Sequence, residues 1–346
     1  MSFNGEPLQV AELRHRAANL SRLAGITHIT IAGARGIGVR ALELRNGSGL
    51  SATIVADRAL DALELNFRGI PLTWLGPGAL ASPQSCPATL EDFERSFFGG
   101  LVTTCGLTAF GPPGSDAWGS WPQHGRVNFL PAELLETCVT WNEAKPEIRV
   151  AGTIREARMF GENMRFERTW TMPIGGSELV LHDRVTNDGG RTEPHMLLYH
   201  CNAGYPLVDR DTVWSVSHVD VVARDDEAEK AIDVWERGGP PDAGFKEQVF
   251  VHRPLADQDG WAHATATNPA LLGGLSLRVA YRPEQLPALF TWRMLSYGTY
   301  VMAAEPANCQ TIAGRVQAYN DGTLPLLEPG ETRNYDLRFS VSCRHR

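Results

Sequence analysis

Residues 164–190 read MRFERTWTMPIGGSELVLHDRVTNDGG. Met164, Phe166, Trp170 and Met172 fall in alternate phase, so one face of an extended segment is apolar. Pro173, Ile174, Gly175 and Gly176 interrupt the run with turn residues. Leu179, Leu181 and Val185 then resume the alternation. The stretch predicts two antiparallel strands joined by a tight turn. The same pattern recurs in SLRVAYRP (276–283) and in NYDLRFSVSC (334–343), the latter after a turn at Pro329–Glu331. Upstream lies THITIAG (27–33). RALEL (40–44) and SATIVAD (51–57) flank NGSGL (46–50) as a hairpin. Helical spacing is rare. Leu8, Val10, Leu13, Ala17, Leu20 and Leu23 predict an amphipathic helix over 7–24, and EAEKAIDVWERG (227–238) is a second candidate. Many short strands without βα alternation mean a mostly β chain, a large antiparallel β-sandwich with an N-terminal helix. The expected organisation is a helical arm over 1–26 and one β-sandwich domain over 27–346. The GARGIG stretch (33–38) lacks GxGxxG spacing and no helix follows it, so it reads as a turn and not as a dinucleotide loop.

The 346 residues carry a net charge of −8, with 43% hydrophobic and 21% charged residues. That is a globular composition. The acidic balance argues against nucleic acid as a partner and against a polybasic membrane anchor. No apolar run is long enough for a transmembrane helix, and the N-terminus lacks the pattern of a secretory signal. The six cysteines (Cys86, Cys105, Cys138, Cys201, Cys309, Cys343) are scattered without CxxC pairing, which fits a reducing cytoplasm.

Three segments set polar side chains among strand ends and turns. They are WPQHGRVNF with His124 and Arg126, TEPHMLLYHCNAGYPL with His195, His200 and Asn202, and GTYVMAAEPANCQ with Glu305 and Asn308. A histidine beside a glycine turn is ordinarily a satisfied surface group. His200 ends the apolar run Met196–Tyr199, and Glu305 ends Val301–Ala304. Placing either there is costly without a partner or a purpose. Asp183, in phase with Leu179 and Leu181, reads as a structural carboxylate paired with Arg168. His182 and His195 read as exposed or structural. His252 and His263, 11 apart in a loop-rich segment, are not read as metal ligands unless a carboxylate is placed beside them in space.

VTNDGGRTEPHMLLYHCNAGYPL (185–207) resembles the aldose 1-epimerases, or galactose mutarotases, where a Val-x-Asn strand end leads to a strand closing on the acid histidine. YVMAAEPANC (300–309) resembles the family's late strand that ends in the base glutamate. WPQHGR resembles its sugar-binding His-Gly segment, and KEQVFVHRP (246–254) its Asp-containing segment, with glutamate in place of aspartate. The resemblance spans roughly 40–343 in the family's order. ADRALDALELNFRGIPLTW (56–74) and GGLVTTCGL (99–107) look more like a divergent aldose 1-epimerase-like branch of unknown function.

The resemblance implies a galactose mutarotase-like supersandwich. It implies Glu305 as base and His200 as acid, with His124, Arg126, Glu247 and Asn202 toward the sugar. Trp292 would lie against the apolar face of a pyranose or belong to the core. The family's sugar-binding arginine is missing from FFGGLVTTCGL (97–107), so Arg126 or Arg58 replaces it or the substrate differs. The implied reaction interconverts the anomers of a free sugar or sugar acid by acid–base ring opening. It needs no redox cofactor and no metal. Competing readings are an isomerase or lyase using the same pair, and a non-catalytic carbohydrate sensor. The expected partner is a small carbohydrate; a homodimer would cover the sandwich edges.

Overall fold

The hairpin read from residues 164–190 is present in the computed structural model, which describes residues 2–3, 6–7, 9–85 and 92–343. Asn163–Pro173 pairs antiparallel with Glu178–Asn187, from Met164 opposite Asn187 to Thr171 opposite Val180. Met164, Phe166, Trp170, Met172, Leu179, Leu181 and Val185 are all fully buried. This hairpin lies inside an eight-stranded antiparallel sheet. The order is Glu133–Thr140, Glu147–Ala157, Asn163–Pro173, Glu178–Asn187, Thr332–Ser342, Leu275–Tyr281, Ala262–Asn268 and Val213–Val216. The two segments read from SLRVAYRP and NYDLRFSVSC are therefore neighbours, with Val279 opposite Phe339.

A six-stranded sheet carries the order His218–Ala223, Gln248–Pro254, Ala288–Ser296, Thr299–Ala307, Met196–Gly204 and Thr103–Leu107. A five-stranded meander runs from Gly25–Thr30 through Arg40–Arg45, Leu50–Val55 and Asp61–Phe67 to Ile70–Pro71. The hairpin around NGSGL is its second and third strand, with Leu44 opposite Ala52. GARGIG forms a short turn with one 3-10 element, Ala34–Gly36, between two strands. One apolar cluster joins the three sheets, from Leu42 and Ile54 through Trp170 and Leu181 to Leu197 and Met302. The fold is thus mostly β, as the alternation indicated.

Two helix expectations need correcting. The N-terminal helix is only Val10–Arg16; Ala17 is already extended, and a 3-10 turn at Leu20–Arg22 follows. Ala18 and Asn19 fall in the break, and the Asn19 side chain accepts from the amide of Ser21, a local bond that starts the new turn. EAEKAIDVWERG holds two short pieces, Asp226–Glu229 and Ile232–Val234.

The sheets are also joined by charge. Arg168 pairs with Asp183 in its own sheet and with Asp61 of the meander, and all three side chains are buried. Arg168 also donates to Thr104 Oγ1 at 2.8 Å, and Tyr199 donates to Asp183 at 2.8 Å. Asn128 donates to Asp61 at 3.0 Å while accepting from the buried Arg58. Arg168 thus lies between two buried carboxylates, and Asn128 links one of them to Arg58. Removing one partner leaves a buried charge uncompensated. Asp61→Ala should therefore cost about 3–5 kcal/mol in urea unfolding. Asp57→Ala, which breaks the half-exposed Arg40–Asp57 pair, should cost under about 1 kcal/mol. Equal losses would contradict this account.

Candidate active site

Strand alternation builds the site on one face of the six-stranded sheet. Leu198 faces Ala307 and Cys201 faces Ala304, so the same register sets His200 beside Glu305. Glu305 also faces Phe290 on its other neighbour, and Trp292 faces Val249. Glu247 precedes the strand that holds Val249. Arg224 follows the edge strand, its amide donating to the Val249 carbonyl at 3.0 Å, a normal sheet distance. These residues line one cavity of about 800 Å³ together with His124.

His124 comes from outside the sheet. Its backbone is left-handed, φ 56°, and Gly125 follows at φ 75°. A Cβ on Gly125 would meet the carbonyl oxygens of Ala109 and Gly106 at 2.5 and 2.6 Å. The turn therefore requires glycine, and it holds an unfavourable backbone at the histidine. The His124 amide donates to Gly111, and its carbonyl accepts from the Gly106 amide, each at 2.9 Å.

His200 Nε2 lies 3.3 Å from Glu305 Oε1. Aromatic rings enclose the imidazole: Phe97 at 4.9 Å, Trp292 at 5.3 Å and His124 at 6.3 Å between centroids. Trp74 packs edge-on to Trp292, and Phe93 lies 4.7 Å from the His124 ring. Burial in this apolar surround pushes Glu305 up to about 8, with the Glu247 carboxylate adding to the rise. Burial also lowers His200 to about 3, helped by the neighbouring His124, and lowers His124 to about 4. At neutral pH the pair therefore rests as a carboxylic acid beside a neutral imidazole.

Glu247 accepts from Trp292 Nε1 and from Arg224 Nη2, both at 2.9 Å. Arg224 is also bound to Asp225. Sequence reasoning missed Arg224; its signal was an arginine closing a valine-rich edge strand just before a helix cap. Trp74 and Phe97 had no distinguishing signal.

Three residues expected at the sugar lie elsewhere. Arg58 is fully buried and donates to the carbonyls of Asn128, Ala81 and Ser96. Arg126 donates to the Ser120 carbonyl in a separate narrow cleft beside Arg158 and Arg315. Asn202 shares the face of His200, but its amide nitrogen is spent on the carbonyls of Gly100 and His200. Neither arginine offered for the missing position lines the cavity, and Arg224 does. His200 and Glu305 touch, so no space the width of a sugar C–O–C unit lies between them. Of the remaining histidines, His182 pairs with Asp336 at the surface. His195 is buried between the Leu107 carbonyl and the Tyr335 hydroxyl. His252 contacts His218, and His263 pairs with Asp257. Cys86 lies outside the described residues.

Solved structures share this fold at low identity. A candidate aldose 1-epimerase from Klebsiella pneumoniae superposes with a TM-score of 0.85 at 22% identity, covering 94% of this chain and 86% of its own. A galactose mutarotase-like protein from Clostridium acetobutylicum gives 0.63 at 12% identity, covering 93% and 99%. A candidate aldose 1-epimerase from Escherichia coli K12 gives 0.56 at 12%, covering 92% and 100%. No curated protein matches the sequence. The family described as Domain of unknown function (DUF4432) matches residues 36–341. This chain belongs to that family, and its fold is the galactose mutarotase-like sandwich.

Proposed function

We propose that the protein is an aldose 1-epimerase-like enzyme that interconverts the anomers of a free reducing sugar, with Glu305 and His200 moving the protons. The observation that carries this is their contact at 3.3 Å on the floor of an aromatic-walled cavity. Ring opening takes the proton from O1 and delivers one to O5 as the C1–O5 bond breaks. Both oxygens are bonded to C1, so they lie roughly 2 Å apart. Two groups in contact, approached from their open side, can therefore each meet one oxygen. Rotation about C1–C2 and closure with reversed transfers give the other anomer.

The pair holds one exchangeable proton. With Glu305 as base and His200 as acid, ring opening starts from carboxylate and imidazolium and ends at carboxylic acid and imidazole. Closure restores the start, so no proton comes from solvent. The affinities of about 8 and about 3 set the charged form roughly 7 kcal/mol above the neutral one. Attraction at 3.3 Å returns about 5 kcal/mol at an effective dielectric near 20. The small remainder makes both forms accessible, which suits a reaction that visits each in turn.

His124 and the Trp292 indole would hold the hydroxyls and the apolar face of the ring. Cys105, Cys138, Cys201, Cys309 and Cys343 are free thiols, which supports the cytoplasm as the working compartment. No helix among the described residues is long and apolar enough to cross a membrane.

Saturation-transfer NMR on a panel of free sugars tests the assignment. Glu305→Gln and His200→Asn should each lower enzyme-dependent anomer exchange by about 10²-fold or more; unchanged exchange in both would sink it. Deuterium appearing at C2 would favour the isomerase reading instead.

The exchange rate, corrected for buffer, should be level below pH 8 and fall above it. There Glu305 ionises beside a neutral imidazole, and the shared proton is lost. A rate that keeps rising from pH 7 to 9 would contradict this.

Stability should follow the same group. A raised carboxyl affinity contributes stability that is full below about pH 4.5 and is lost as pH rises through about 8. Glu305→Gln lacks this loss, so its advantage over the wild type should grow by on the order of 5 kcal/mol between pH 4 and 9. Parallel melting curves across that range would refute the burial argument.

A further inference from the structure

We infer that the site takes an uncharged reducing sugar longer than a monosaccharide, such as a disaccharide; the inference rests on the mutarotase reading above. Two observations carry it. The first is extent. The cavity floor reaches from His200 across the strands of Glu305, Trp292 and Val249 to Arg224 at the sheet edge. Four strand spacings separate the backbone positions of the ends, roughly 19 Å, and the Arg224 side chain reaches back toward Glu247 beside Trp292. One pyranose over His200 and Glu305 leaves the part of the floor near Met294, Thr299 and Arg224 unfilled.

The second observation is charge. Arg224 is the one cation among the described lining residues, and its guanidinium is already engaged by Asp225 and Glu247. Glu94, Glu247 and Glu305 face the same space. A phosphate or carboxylate on the sugar would enter against carboxylates, with no unspent cation to meet it. The Trp292 and Trp74 surfaces instead suit the apolar faces of neutral rings. This removes the sugar-acid alternative.

The test is anomer exchange by the purified full chain on glucose, cellobiose, maltose, glucose 6-phosphate and glucuronate. At least one disaccharide should exchange with kcat/KM about tenfold or more above glucose, and the two anions should stay at the buffer rate. Met294→Trp should bring the disaccharide-to-glucose ratio close to one. Glucose matching or exceeding both disaccharides, exchange of either anion, or a ratio unmoved by Met294→Trp overturns the inference while leaving the function intact. No exchange of any sugar overturns the function itself.

A separate observation assigns a role to Asn202. Its amide nitrogen donates to the carbonyls of Gly100 and His200, at 3.1 and 2.8 Å, which turns its oxygen away from both. That oxygen and His200 Nδ1 are both buried, and neither has a hydrogen-bond partner. They belong to side chains on the same strand face. The geometry points to Asn202 as a positioning residue that accepts from Nδ1–H of His200. This leaves Nε2 as the basic nitrogen toward Glu305. Nitrogen-15 shifts of the wild-type His200 ring should report a proton on Nδ1 at pH 7. Asn202→Leu should mix the tautomers and lower kcat about tenfold with KM nearly unchanged, and Asn202→Asp should restore the tautomer. A wild-type proton on Nε2 overturns the assignment, as does an Asn202→Leu ring with unmoved shifts.

Discussion

The buried group of Arg168, Asp61, Asp183 and Arg58 is the constraint on which the site depends. Charges are costly to bury, and here Arg168 meets two carboxylates while Asn128 links Asp61 to Arg58. The desolvation cost is offset only when all four are in place with their hydrogen bonds. Asp61 comes from the meander, Arg168 and Asp183 from the eight-stranded sheet, and Thr104 and Tyr199 from the six-stranded sheet. A slip of one residue in any of these strands would turn a charge to the wrong face. The group therefore selects register where apolar packing alone tolerates exchange of one large side chain for another.

That register reaches the cavity through a single peptide unit. Tyr199 donates its hydroxyl to Asp183 on one face of its strand. His200, the next residue, projects from the opposite face against Glu305. The strand Met196–Gly204 is buried along its whole length, so its two faces serve different ends: polar anchoring behind and chemistry in front. Glu305 stands among Ala303, Ala304 and Ala307, small residues that offer it no counterion. Its raised proton affinity follows from that surround.

The fold was legible because alternation is local. Each strand of the hairpin at 164–190 states its buried face in its own letters. His200 and Glu305 were legible for a related reason, since each is a titratable group closing an apolar run. The errors arose where the answer depended on distant chain. Arg58 was read as exposed to substrate, yet it faces carbonyls of residues 81, 96 and 128. Arg126 lies two residues after His124, but the left-handed turn at His124 and Gly125 sends it to another cleft. Arg224 went unread because nothing near it in sequence declares that Glu247 and Trp292 lie beside it. The helix over 7–24 was overextended because its leucine spacing continues through residues whose backbone does not.

Under the proposed function, the contact between His200 and Glu305 changes how the site works. Separate groups flanking a sugar would each need their own protonation state set in advance, a carboxylate ionised and an imidazole charged. The burial that encloses the sugar opposes both charges. Groups in contact avoid the conflict. They hold a net neutral pair in either form, so the apolar walls that exclude water penalise neither strongly. On the proposed mechanism the aromatic enclosure and the acid–base pair are compatible, because that mechanism leaves the pair's charge unchanged. Arg224 fits the same logic, because its charge is spent on Asp225 and Glu247 and not on stabilising an ionised Glu305 outright. A free cation at that place would hold Glu305 as carboxylate, release the pair's shared proton to solvent, and leave a base without its acid.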